Sequence, residues 1–251
     1  MIQVRGLKKR LRSQQVLNGL DIDLPDGHTV VIIGQSGTGK SVFLKHLIGL
    51  MRPDAGSIHV DGERVDPLRE REWAPVRRKF GMLFQGAALF DSMRVFENVA
   101  FPLRERGGLT VEQIRERVMH ALSLVDLDGS EDKYPAELSG GMRKRVGLAR
   151  AIVGEPKYLL YDEPTTGLDP VTADTINELI LRLRDSLRVT SIAVTHDMAS
   201  AFKIGDRIVM LYGGKNYFEG TIEETKATDD PIVRQFITGQ AEGPLTAKNR
   251  R

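Results

Sequence analysis

The stretch Val30–Ser41, VVIIGQSGTGKS, constrains the chain more than any other. Its first four residues are apolar and β-branched, which suits a strand buried on both faces of a parallel sheet. The next eight, Gly34-Gln35-Ser36-Gly37-Thr38-Gly39-Lys40-Ser41, fit GxxxxGK[ST] at every fixed position. Glycines let the backbone wrap tightly and turn its N–H groups inward. Val42-Phe43-Leu44-Lys45-His46-Leu47-Ile48 then reads as a helix whose positive end faces the same point. Loop amides, helix end and the Lys40 charge together make an anion site, and the Ser41 hydroxyl suits Mg2+. The pattern predicts a cradle for nucleotide phosphates.

Composition narrows the setting. A chain of 251 residues has room for one large α/β domain with an inserted subdomain. A net charge of +2 gives no overall attraction to nucleic acid, and none is expected as a partner. The basic clusters Lys8–Arg12 and Arg77–Lys79 read as solvated faces. With no cysteine, disulfides and thiol chemistry are excluded. No apolar stretch approaches the ~20 residues of a membrane helix. The opening MIQVRGLKKRLRSQQ lacks the apolar core of a signal peptide. A membrane role is therefore expected to pass through a partner.

Along the chain, Ile2–Val4 and Val16–Leu24 read as strands, the second from the alternation Leu20-Asp21-Ile22-Asp23-Leu24 before a turn at Pro25-Asp26-Gly27. Ser57–Val60 and Phe80–Gln85 are further strands, so an antiparallel edge is expected beside a parallel sheet. From Val95 to Ala151 the character turns helical. Val111, Ile114, Val118, Ala121, Leu122 and Val125 recur at three-and-four spacing, and Thr110 with Gln113 forms a capping box. The α/β pattern resumes with strands at Tyr158–Tyr161 and Ser191–Thr195 and helices at Pro170–Arg184 and Met198–Lys203. Arg207–Leu211 with Lys215–Glu219 makes a closing hairpin. Periodicity assigns no role to the tail after Asp229.

Two further segments carry chemistry. Lys157-Tyr158-Leu159-Leu160-Tyr161-Asp162-Glu163 reads as a buried strand ending in two carboxylates. Beside a phosphate loop, Asp162 is expected on the metal side and Glu163 as the base that orients or deprotonates water. Leu138-Ser139-Gly140-Gly141-Met142 precedes a basic helix, and Ser139 with the two glycines offers a second anion-binding surface. Two such surfaces in one chain make sense if the second serves a nucleotide held by another copy, in a head-to-tail pair. The plainer alternative is a capped helix start.

This set resembles the ATP-binding-cassette ATPases over nearly the whole chain. Gly34–Ser41 matches the P-loop, Leu138–Met142 the signature, Tyr158–Glu163 the strand motif, and Gly167-Leu168-Asp169-Pro170 the Asp-loop. Gln85 matches the Q-loop and His196, in Val194-Thr195-His196-Asp197, the switch histidine. The resemblance implies ATP and Mg2+ as cofactors, with Ser41, Gln85 and Asp162 around the metal. It implies that Lys40, Gln85 and His196 meet the γ-phosphate, that Ser139 reaches it from the other chain, and that Asp169 ties the two sites across the dimer. The signature ends in Met142 where the family more often has glutamine. The family's adenine-stacking aromatic is replaced by Leu11, so aliphatic or Arg12 contact must hold the base. The remaining histidines, His28, His46, His59 and His120, show no ligand-like spacing.

The implied fold is an α/β P-loop NTPase core, a mixed sheet with an antiparallel edge sheet, in 1–85 and 156–228. A helical signature subdomain is expected at 86–155 and a dimer-contacting tail at 229–251. Within the family the chain is most similar to the ATPases of Mla/Mce-type lipid transporters. The likeness rests on Gly86–Ser92 with Val95–Leu103, on Gly141–Arg145, and on Asp229–Phe236 continuing to Pro244. It implies hydrolysis coupled to phospholipid transport in a bacterial envelope, at the cytoplasmic face of the inner membrane. The implied partners are a permease, a second copy, an Mce-domain protein and a small regulatory subunit. Phe236 and Ile237 would be buried in trans, the alternative being a frayed terminus. Rival readings are the ATPase of a small-solute importer, a soluble cassette protein acting on ribosome or DNA, and a nucleotide switch with negligible turnover.

Overall fold

The computed structural model describes residues 1–247. The last four residues of the expected 229–251 tail lie outside the described residues. The chain forms two compact units, Met1–Arg69 with the chain from Val194 onward, and Glu70–Ala193.

In the first unit, β1 (Ile2–Leu11) and β2 (Gln14–Leu24) form a long antiparallel hairpin. β4 (Ala55–Val60) adds to the other edge of β1, and β5 (Glu63–Arg64) pairs with β4. This is a four-stranded antiparallel sheet, ordered β2-β1-β4-β5. The alternation read in the sequence sets its faces: Leu20, Ile22 and Leu24 are buried while Asp21 and Asp23 are exposed. β3 (Thr29–Ile33) belongs to a mixed sheet and is buried at all five residues. It runs parallel to β9 (Arg207–Tyr212), from Val30 opposite Arg207 to Ile33 opposite Met210. β9 in turn pairs antiparallel with β10 (Lys215–Thr221), the expected hairpin.

The helices of this unit are α1 (Lys40–Leu47), α7 (Met198–Ile204), α8 (Ile222–Ala227), α9 (Pro231–Thr238) and α10 (Pro244–Ala247). The tail is docked on its own unit. Asp230 caps α9 by accepting from the N–H groups of Ile232 and Val233 at 2.9 and 3.0 Å, and the Tyr217 hydroxyl donates to its other oxygen at 2.9 Å. Val233 is fully buried, and the Leu245 N–H donates to the buried Gln235 amide oxygen at 2.7 Å. Phe236 and Ile237 are half-buried.

The second unit contains α2 (Trp73–Arg77), β6 (Phe80–Leu83), α3 (Val95–Arg106), α4 (Val111–Leu124), α5 (Gly140–Ile152), β7 (Tyr158–Asp162) and α6 (Pro170–Leu187). β8 (Thr190–Val194) closes it and ends at the boundary. β6 and β7 are parallel, in register from Phe80 opposite Tyr158 to Leu83 opposite Tyr161, and the first pair stacks its rings at 5.1 Å. The capping box of α4 is present: Gln113 N–H donates to Thr110 Oγ1 at 3.3 Å and Thr110 N–H to Gln113 Oε1 at 2.9 Å. Val118, Ala121 and Leu122 form its buried stripe, but Val111 stays 77% exposed, because a first-turn residue overhangs the core it points toward. The helical stretch is not continuous. Between α4 and α5 the chain is irregular except for a short 3-10 turn at Pro135–Glu137.

Candidate nucleotide site

In the first unit β3 delivers the chain into the glycine loop. Gly34 has φ +146°, and a Cβ there would lie 2.5 Å from the Leu211 carbonyl oxygen of β9 and 3.0 Å from Thr38 Oγ1. The loop closes on itself, with Thr38 donating to the Gln35 carbonyl through its hydroxyl at 2.8 Å. Gly39, at φ +99°, opens α1, and a Cβ there would press on Leu17 and Val16 of β2 at 2.8 and 2.9 Å. The hairpin strand thus seats the helix start. Lys40 is buried and its Nζ donates to the carbonyls of Gly34 at 2.7 Å and Gln35 at 3.1 Å. Ser36 and Gly37 form the exposed tip, and Ser41 is half-buried on the first turn. Left-handed glycines, a helix N-terminus and a buried ammonium make a fit for a phosphate chain.

The same unit carries His196. The Thr195 N–H donates to the Ile32 carbonyl at 3.2 Å, so the residue before His196 is fastened to the strand that feeds the loop. Behind it, Asp197 caps α7 by accepting from Ala199 N–H at 3.0 Å and the Ser200 hydroxyl at 2.6 Å. Held from both sides, His196 is exposed. Leu11 lies at the tip of the β1–β2 hairpin, 36% exposed, next to Arg12 in the left-handed region at φ +52°.

The second unit carries the other predicted residues. Asp162 ends β7 with 6% exposure and Glu163 follows with 8%. Glu163 has φ +51°, a backbone state that costs a residue with a Cβ of order 1–3 kcal/mol and persists only where its surroundings hold it. Its carboxylate accepts from the Thr166 hydroxyl at 3.0 Å. Gln85, just past β6, is exposed. Ser139 is the exposed N-cap of α5, its Oγ accepting from the Met142 N–H at 3.2 Å. The capped helix start read from the sequence is therefore present. Gly141 leaves room for Thr172, whose Cγ2 would be 2.7 Å from a Cβ there, and Gly140 packs near Leu168. Asp169 caps α6, accepting from the N–H groups of Val171 and Thr172 at 3.0 Å each. Hydrogen bonds from Thr172 hold its carboxyl below the usual aspartate range.

Sequence reasoning missed Lys144. The run Arg143–Arg145 reads as a basic helix face, yet Lys144 is 5% exposed. Its Nζ donates to the Gln85 carbonyl and to the Glu163 carbonyl, the latter at 3.2 Å. Burial pulls its ammonium below the usual lysine value, opposed by the charges of Asp162 and Glu163. The signal was available: Gly141, Gly147, Leu148 and Ala151 stand three, four and seven residues away, so Lys144 shares the helix's buried stripe.

A glycine cradle with Lys40 and Ser41, and a buried strand ending in paired carboxylates, define a P-loop nucleotide-binding ATPase. The chain belongs to the ABC transporter family, whose model matches residues 17–166. It is 44% identical to the probable ribonucleotide transport ATP-binding protein mkl of Mycobacterium leprae, over 97% of this chain and 70% of that protein. It is 39% identical to the intermembrane phospholipid transport system ATP-binding protein MlaF of Haemophilus influenzae, over 99% of this chain and 94% of that one. A dimeric ATP-binding cassette solved in a post-hydrolysis state with ADP and Pi superposes with a TM-score of 0.81 and 31% identity, covering 88% of this chain and 99% of its own. The chain is an ATP-binding subunit with the fold of an ABC ATPase. Among the described residues no helix is long and apolar enough to cross a membrane.

Proposed function

We propose that this chain hydrolyses ATP to drive phospholipid movement in a bacterial envelope, working as a pair of copies under a membrane permease. The observation that carries the cargo is the likeness to the phospholipid-transport protein over 94% of its length, a stretch that takes in the chain's tail. ATP phosphates lie against the amides of Gly34–Ser41, with the Lys40 charge on them. The Ser41 hydroxyl, the Asp162 carboxylate and the Gln85 amide suit Mg2+, which prefers oxygen ligands; when bound, it would neutralise charge on the phosphates. Glu163 orients the attacking water and draws its proton, while His196 contacts the γ-phosphate. Ser139, with Gly140 and Gly141, meets the γ-phosphate held by the second copy, and Asp169 lies at the seam. Leu11 stands where the adenine is held. An Mce-domain protein and a small regulatory subunit complete the assembly, with the chain on the cytoplasmic face of the inner membrane.

A second reading, transport of a small solute, draws on the relative named for ribonucleotide transport. Gentle extraction of the tagged chain from its native membrane separates the two. The lipid reading expects a permease, an Mce-domain protein and bound phospholipid to co-purify. A permease with a small-solute binding protein overturns the cargo and keeps the ATPase. Ribosomes or DNA without a membrane protein overturn the transporter.

A further inference from the structure

The helix that begins at Ser139 also holds the backbone of two residues assigned to hydrolysis. Lys144 donates to the carbonyls of Gln85 and Glu163. One turn on, Gly147 is packed against Leu83 and Ala87, where a Cβ would lie 2.7 and 3.3 Å from their side chains. Two turns on, Arg150 donates to the Ala87 carbonyl at 2.5 Å and the Ala88 carbonyl at 2.7 Å. The residues held are themselves strained: Ala87, Ala88 and Glu163 have φ of +60°, +49° and +51°. Left-handed alanines do not persist unaided. A buried ammonium is likewise costly unless its donors are used, and Lys144 uses its donors on these two carbonyls.

We propose that Lys144 is a positioning residue for ATP hydrolysis: through the Gln85 and Glu163 carbonyls it fixes both side chains relative to the signature helix. The proposal rests on the ATPase reading. It makes Ser139, which meets the nucleotide of the second copy, and Gln85 and Glu163, which act on the chain's own nucleotide, parts of one piece, so that engagement at Ser139 is passed to the two hydrolytic residues. Lys144 touches no substrate.

The test uses the full chain with Lys144→Met, which keeps length and loses the donors, and Lys144→Arg, which restores two donors. Steady-state ATPase, fluorescent-ATP binding, thermal melting and amide hydrogen exchange are measured together. The expected result for Lys144→Met is a kcat at least about tenfold lower with KM and nucleotide affinity within about threefold. Exchange should quicken at 84–88 and 163–166 while the rest of the chain keeps its protection. Lys144→Arg should recover part of kcat and of that protection. Wild-type kcat in Lys144→Met overturns the proposal. So does a loss in which affinity, melting temperature and kcat fall together and arginine restores nothing, since that marks a merely structural lysine. If the wild-type chain itself binds ATP and never turns it over, the ATPase reading fails; the exchange pattern then still decides whether Lys144 sets the two segments.

Discussion

The α-carbon of Gly34 faces the carbonyl oxygen of Leu211 so closely that a Cβ would stand 2.5 Å from it. The contact joins the first residue of the phosphate loop to β9, and it is made at φ +146°, a conformation almost confined to glycine. Gly34→Ala should therefore cost about 1–3 kcal/mol from backbone strain alone, with the clash added. In a chain of this size that lowers the melting temperature by several degrees. ATP affinity should fall as well, because the loop amides lose their aim. Calorimetry with and without ATP reads both, and an unchanged melting temperature refutes the assigned constraint.

Glu163 is buried at the end of β7 and its carboxylate is engaged by the Thr166 hydroxyl. Glu163→Gln keeps the volume and the hydrogen bond but removes the basic oxygen. Turnover should fall below a hundredth of the wild-type rate, consistent with the 10²–10⁴-fold typical of a positioned base. ATP binding should be retained, and two copies should stay together on ATP in light scattering. Undiminished hydrolysis in this variant removes Glu163 from the role.

Local chemistry was legible wherever it depended on neighbours in the chain. Val30–Ser41 showed its strand, loop and helix by composition and spacing, and Thr110–Gln113 showed its cap. Relations between distant segments were not legible. Nothing near Gly34 names Leu211 as the reason for a glycine, and nothing in Arg143-Lys144-Arg145 separates the buried middle residue from its more exposed neighbours except the stripe it shares. In the tail, Ile232, Val233, Phe236 and Ile237 recur at helical spacing in α9, but the polar contacts that anchor it, Tyr217 to Asp230 and Leu245 to Gln235, join residues 13 and 10 apart and could not be read from periodicity.

His46 lies six residues beyond the P-loop lysine, fully buried, with Nδ1 donating to the Val42 carbonyl at 2.7 Å. Burial is the main cause holding its pKa below 6.5; the charge of Lys9 acts the same way, and the Val42 bond and the Asp54 carboxylate oppose it. With the folded value depressed, the unfolded chain takes up the proton first. The stabilisation is complete above about pH 6.5 and is lost as pH falls from there toward the folded pKa. His46→Gln, which can still donate to Val42, should flatten that limb. Urea midpoints at pH 5.5 and 7 for both chains measure it; equal slopes in the two chains rule out His46 as the source.

Phe236 and Ile237 stand half-buried on α9 while Val233, one turn earlier, is fully inside. The helix thus has one face spent on its own unit and apolar surface left over, as a segment that also serves a second copy requires. Ending the chain at Asp230 should uncover the Val233 site, worth about 1.5–3 kcal/mol, and leave the rest folded. If the leftover face joins two copies, the truncated chain bearing Glu163→Gln should form less dimer on ATP than the full-length Glu163→Gln chain. Replacing Phe236 and Ile237 by serine in the full-length chain should reproduce the dimer loss with a smaller drop in melting temperature, since neither is a core residue. Light scattering decides: an undiminished dimer in both variants confines the tail to the stability of its own unit.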